Sequence, residues 1–177
     1  LTVFRPADAL ETLESWSLAL HHTGGPSLLA LSRQALPTLD RSRQGAGSAA
    51  QGAYVLREAK GPRAVTLLAT GSEVSLAIVA ADKLEEQGIA TAVVSMPSFE
   101  LFRAQDKAYR REVLGSAPRI AIEAALVSGW HEWLGDNGQF IGMQGFGASA
   151  PADKLYAHFG ITAEAVVTAA QQVTGRH

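Results

Sequence analysis

The sequence predicts an α/β protein: a three-layer α/β/α domain with a mostly parallel, mixed sheet of about five strands, preceded by a fragment of a second α/β domain. Three observations carry that prediction. Short continuous apolar runs alternate with longer segments whose apolar residues recur every three or four positions, the rhythm of strands buried on both faces and helices buried on one. Between Val65 and Met96 a strand, a helix and a second strand fit into about thirty residues, the signature of a right-handed crossover in a parallel sheet. A polar stretch over residues 40–51, DRSRQGAGSAAQ, divides the pattern in two and reads as a linker.

The elements follow in order. Leu1 to Phe4 is a short extended run that Arg5-Pro6 ends, and Asp8 with Glu11 three residues on makes a capping-box-like helix start. Leu10, Leu13, Trp16 and Leu20 then predict a helix with one buried stripe, closed by Gly24-Gly25-Pro26. Ser27 to Leu31 reads as a buried parallel strand. Two strands and a helix cannot bury both faces of a sheet, so residues 1–39 are expected to belong to a larger domain that continues upstream. Beyond the polar stretch, Tyr54–Glu58 and Val65–Ala69 flank Lys60-Gly61-Pro62 and are expected to form an antiparallel pair. Ser72 is placed to cap a helix whose stripe is Val74, Ile78, Ala81 and Leu84 and which Gly88 stops. Strands are expected at Ile89–Met96, Arg119–Glu123 and Gln139–Met143, with helices over residues 99–114, from Pro151 to Gly160, and from Thr162 through Val173. Residues 52–177 thus read as one compact domain.

Composition narrows the function. With 177 residues, 47% hydrophobic and 18% charged, the chain can bury one substantial core. Lys plus Arg number 15 against 17 Asp plus Glu, which leaves no basic excess for a nucleic acid partner. The absence of Cys excludes a disulfide frame, a thiolate zinc site and a catalytic thiol, and fits a cytoplasmic location. No apolar run approaches the ~18 to 20 residues of a membrane span, and LTVFRPADALE lacks the form of an export signal.

Of the candidate chemical residues, Arg33 stands out. It follows a strand at its carboxyl end, where open parallel sheets gather their ligands, and its planar fork of donors suits a phosphate. An arginine there can equally pair with a carboxylate or cover a domain edge with its stem, and spacing alone leaves the two readings open. Gly71-Ser72 reads as ordinary helix capping rather than an anion cradle, because a lone pair lacks the glycine spacing of a phosphate loop. GFGASAPADK, residues 145–154, with Ser149 as a candidate cap, reads as a tight packing turn. In GWHEWLG, Trp130 and Trp133 read as core or interface anchors; His131, beside Glu132, suits acid–base work but reads rather as a local hydrogen-bonding group. His21-His22 suits the negative end of a helix, and the five histidines form no metal motif.

FRPADALETLESWSLAL followed by GPSLLALSRQALP resembles the end of the pyrimidine-binding domain of transketolases. GAYVLREAKG, LLATGSEVSLAIVAADKLEEQGI, VVSMPSFELFRAQDKAYRREVL, EAALVSGW and FGASAPADKLYAHFGIT are similar, in order, to stations of the transketolase C-terminal domain. The likeness covers nearly the whole chain and implies 1–39 as the end of the pyrimidine-binding domain, 40–51 as a linker and 52–177 as the C-terminal domain. It implies that Arg33 holds the terminal phosphate of a sugar substrate. Ala35 stands where the family usually has Asn, so a loop hydrogen bond is expected to be missing.

The resemblance also implies transfer of a two-carbon ketol unit between sugar phosphates in a homodimer that uses thiamine diphosphate and a divalent metal, Mg or Ca. The family's cofactor, metal and proton-relay residues lie upstream of the motifs seen here, and Glu73 and Glu123 are not expected to replace that relay. No catalytic, cofactor or metal residue is therefore expected in these 177 residues, and the piece alone is expected to be inactive. Two alternatives remain: a non-catalytic module for dimerisation or regulation, and the corresponding part of a deoxyxylulose phosphate synthase or a two-oxoacid dehydrogenase β chain. SRQ followed by LPTL, and VVSMPS, are not expected in the latter two.

Overall fold

The computed structural model describes residues 1–45 and 47–175. Ala46 in the polar stretch and residues 176–177 at the end of the expected second domain lie outside the described residues.

Strands β1 (Thr2–Phe4) and β2 (Ser27–Leu29) pair in parallel across helix α1 (Ala9–His21). As the capping-box pattern predicts, Asp8 Oδ1 accepts from the Glu11 amide at 2.9 Å. The Glu11 carboxylate reaches further than a capping box requires and accepts from the Ala7 amide at 2.8 Å. The expected buried stripe is corrected: Leu10, Leu13, Trp16 and Leu20 are 41%, 67%, 49% and 76% exposed, while Glu11 and Ser15 are buried. Helix periodicity marks which side is apolar but not what covers it, and here the polar side faces the rest of the chain. β2 is likewise shorter than expected and half-exposed.

The larger unit is a mixed five-stranded sheet formed by β3 (Tyr54–Arg57), β4 (Val65–Ala69), β5 (Thr91–Ser95), β6 (Arg119–Glu123) and β7 (Gln139–Gly142), in the order β3-β5-β4-β6-β7. β3 is antiparallel as expected, but its neighbour is β5, not β4. β4 lies between β5 and β6, parallel to both, and β7 is parallel to β6. The crossover from β4 to β5 runs through α2 (Glu73–Glu86). It places two apolar strands side by side at the centre of the sheet and displaces β3 to the edge.

Alternate strand residues face opposite layers. Leu67, Val93, Ile120 and Ile122 pack against α2 and α7 (Ala163–Thr174). Leu68, Val94 and Ala121 pack against α3 (Phe99–Arg103), α4 (Lys107–Leu114) and α5 (His131–Leu134). Trp130 and Trp133 are core residues, 0% and 2% exposed, with Phe99 edge-on to Trp130 at 5.0 Å. α6 (Ala152–Phe159) follows β7 and turns Tyr156 and Phe159 onto the first of these two cores. Thr162 caps α7 through the Ala165 amide, as expected, whereas Ser72 makes no capping bond to α2.

Ala49 of the polar stretch joins the core, and charge holds its first part. Arg41 forks onto Asp8 with bonds of 2.8 and 3.0 Å, and Arg43 forks onto Glu85 of α2 with bonds of 3.0 and 2.9 Å. Burial raises the pKa of Glu85, but hydrogen bonds from Arg43 and Lys60 overcome it and bring the carboxyl down to about 2.

Candidate functional site

The four parallel strands of the large sheet end at a common edge, and β1 and β2 end beside it. Segments just beyond those ends line a cleft of about 560 Å³, the place where sheets of this kind receive ligands. Arg5 follows β1, Ser32, Arg33 and Gln34 follow β2, Ser72 and Glu73 open α2, and Tyr156 comes from α6. Arg33 is exposed, and among the described residues it makes no ion pair and no hydrogen bond. Its guanidinium is available to an anion, and neither a carboxylate partner nor a buried position competes for it.

Arg5, its neighbour in the cleft, has the opposite character. It pairs with Glu123 at the end of β6 and lies 3.4 Å from Glu73. Glu123 also accepts from Thr70 Oγ1 at 2.7 Å and from the Trp130 indole at 2.5 Å. Glu73 accepts from Ser72 Oγ at 2.7 Å and from the Tyr156 hydroxyl. Desolvation together with the Glu73 carboxylate raises the Tyr156 pKa to about 12, so its proton stays on oxygen and serves as a donor.

The joint between the two segments is a second polar cluster. Buried Glu11 accepts from Tyr54 OH at 2.8 Å and Ser95 Oγ at 2.6 Å. Burial raises its pKa despite those bonds. Burial pushes Asp8 upward too, but the Arg41 fork and the Glu11 and Leu39 amides outweigh it, and its pKa is lowered.

The remaining candidates disperse. His131 is exposed and outside the cleft, and Glu132 is taken by Arg103 at 2.8 Å. His21 Nδ1 meets the Ser17 carbonyl at 2.7 Å, a helix-end contact. The expected tight turn at residues 145–154 is corrected. Gly145 and Gly147 have open space around them, Phe146 is fully exposed, Ser149 is exposed and Pro151 occupies the cap position. This loop is a rim of the cleft, not a packed turn. Gly71 is likewise no anion cradle, because its amide donates to the Arg5 carbonyl at 2.9 Å. Among the described residues no three His, Cys, Asp or Glu side chains come together as metal ligands, and no helix is long and apolar enough to cross a membrane.

The residue-by-residue reading missed Arg5, Thr70 and Tyr156. The available signal was the FRPAD motif, whose Phe4, Pro6, Ala7 and Asp8 are all buried.

The family model described as the transketolase-like TK C-terminal domain matches residues 52–162. The chain belongs to the transketolase family. A transketolase of Sinorhizobium medicae is 60% identical over 177 residues, covering 99% of this chain and 26% of its own length. One from Cereibacter sphaeroides is 56% identical over 172 residues, covering 97% of this chain and 26% of its own. Among solved structures, transketolase from Leishmania mexicana superposes with a TM-score of 0.89 at 39% identity, over 98% of this chain and 25% of that one. A split-gene transketolase described as an inactive β4 tetramer gives a TM-score of 0.77 at 25% identity, over 98% of this chain and 58% of its own. The chain therefore spans about a quarter of the length of the curated relatives it matches.

Proposed function

We propose that the chain acts as the C-terminal portion of a transketolase, with residues 1–39 closing a pyrimidine-binding domain, 40–51 linking, and 52–177 forming the C-terminal domain. The reaction is transfer of a two-carbon ketol unit from a ketose phosphate to an aldose phosphate, in a cytoplasmic homodimer. The observation that carries this reading is the exposed, unpaired guanidinium of Arg33 on the cleft at the strand ends. The family match over residues 52–162 supports it.

Arg33 works by binding. Its fork of donors holds the terminal phosphate of the sugar and leaves the reacting carbons to be placed elsewhere. A charge-assisted contact of ~1.5 to 3 kcal/mol corresponds to roughly a tenfold to hundredfold change in affinity. Thiamine diphosphate, when bound with its divalent metal, supplies the carbanion stabilisation that ketol transfer needs. The described residues do not fit that group: they offer no metal-ligand cluster, and the second cation of the cleft, Arg5, already serves two carboxylates. The 177 residues by themselves are proposed to be inactive.

A separate role for GWHEWLG as an apolar subunit contact loses its basis, since both of its tryptophans are consumed by the core. Four exposed apolar residues, Leu10, Leu13, Trp16 and Leu20, lie together on α1, where we place the contact with the rest of the pyrimidine-binding domain.

The test is Arg33→Ala in an intact enzyme carrying this sequence. The KM for sugar phosphates should rise tenfold or more, as a lost ~1.5 kcal/mol contact requires, while an unphosphorylated ketol donor is spared. Equal damage to both substrates rejects the assignment.

A further inference from the structure

We infer that Arg5 is a positioning residue for the phosphate grip of Arg33, fixing the loop after β2 against the C-terminal domain while making no contact with substrate itself. The inference rests on the reading of Arg33 given above. The two arginines share one cleft but differ in occupancy, one free and the other committed.

The commitment of Arg5 is both backbone and side chain. Its amide donates to the Pro97 carbonyl at 2.8 Å, in the loop after β5, and its carbonyl accepts from the Gly71 amide at 2.9 Å, in the turn before α2. Its guanidinium bridges Glu73 and Glu123, whose side chains are 1% and 8% exposed. Two buried carboxylates carry more negative charge than one guanidinium neutralises, so this cation cannot be withdrawn to bind a phosphate without leaving both in low dielectric. Arg5 is thereby held as a peg in the larger domain.

The peg is tied to the Arg33 loop by two routes. The Phe4 carbonyl accepts from the Ala30 amide at 2.8 Å, which extends the β1–β2 pairing to the first residue of that loop. On the other side, Glu73 accepts from the Tyr156 hydroxyl, and Tyr156 lines the same cleft as Gln34, one residue from Arg33. The loop is thus anchored at its start by hydrogen bonding and bounded next to Arg33 by Tyr156, and Arg5 holds the groups on both sides. A fixed guanidinium loses less freedom when it grips a phosphate than a mobile one does.

The experiment is a double-mutant cycle in an intact enzyme carrying this sequence, using Arg5→Gln, Arg33→Ala and both together. It reads kcat and KM for a phosphorylated aldose acceptor and for an unphosphorylated ketol donor. Arg5→Gln should raise the KM of the phosphorylated substrate roughly three- to tenfold with kcat and the unphosphorylated donor little changed, and Arg5→Lys should recover part of that loss. With Arg33 already replaced by Ala, the same Arg5 change should add less than about twofold, because the group it positions is gone. Full additivity, equal loss for both substrates, or no effect of Arg5→Gln would overturn the inference. If Arg33→Ala itself spares the phosphorylated substrate, the reading of Arg33 falls and the inference with it. Should Arg5→Gln fail to fold, Glu73→Gln removes one charge from the same clamp while keeping an acceptor for Ser72 and Tyr156. It should raise the same KM in the same direction, and an unchanged KM would count against the inference.

Discussion

Helix α1 and helix α2 show the same sequence rhythm and meet opposite fates. In α2 the predicted stripe is covered: Val74, Ala81 and Leu84 are 0% exposed, and Ile78 is half-buried against the same core. In α1 the predicted stripe is the exposed side, and the buried positions are a glutamate and a serine. An apolar stripe states a demand for cover, and the larger domain meets that demand for α2 only. For α1 the larger domain and the polar stretch before it offer polar partners instead, in Tyr54, Ser95 and Arg41, and bind the helix through its capping residues. The joint is therefore polar and directional, while the domain core is apolar and dense.

Four predictions probe that contrast. The largest effect is expected inside the core, where Trp130→Ala removes a fully buried indole and strips Glu123 of a donor. It should lower unfolding free energy by ~3 to 5 kcal/mol in chemical denaturation, and a loss below ~1 kcal/mol would place Trp130 outside the core. Next, Arg41→Ala leaves the buried Asp8 carboxylate without its cation and should cost ~2 to 3 kcal/mol. If denaturation shows no change, the polar joint is not an energetic connection.

Acid titration separates the two carboxylates of α1's first turn. Asp8 has its pKa lowered from 3.8, so its contribution to stability is present above pH 3.8 and is lost as pH falls through the folded value. Glu11 has its pKa raised from 4.5, so the fold favours its protonated form, and stability declines as pH rises from 4.5 through the folded value. Asp8→Asn should abolish the acid-side loss and Glu11→Gln the decline above pH 4.5, with the two profiles changing on opposite sides. The same side moving in both variants would contradict the assignment.

The smallest effect is expected at Leu13 and Leu20. Each Leu→Ser change should alter the stability of this chain by less than ~0.5 kcal/mol, as at an exposed position. In an intact enzyme, where we place these residues against the rest of their domain, the cost should reach ~1.5 to 3 kcal/mol each. Equal costs in the two contexts would remove the proposed cover.

How much of this was legible in the sequence follows the same division. The strands β4, β5 and β6 were readable because each is a run of apolar residues in a sheet buried on both faces, so burial needs no partner beyond the chain's own helices. The neighbour of β3 was not, because strand order is decided by the crossover through α2 and not by proximity along the chain. The Arg33 cleft was readable only as a place, the carboxyl end of a strand. That its guanidinium is free while Arg5 is committed depends on Glu73 and Glu123, 50 positions apart, meeting one arginine that lies far from both in sequence. The stretch over residues 40–51 read as a linker because composition reports apolar content, whereas Arg41 and Arg43 act through forks whose partners lie in other elements.

The most direct test of the central claim, that Arg33 grips a substrate phosphate, is inhibition of an intact enzyme carrying this sequence by inorganic phosphate in competition with a phosphorylated aldose. The account predicts a competitive Ki that rises roughly tenfold to hundredfold on Arg33→Ala. A Ki unchanged by that substitution would contradict it.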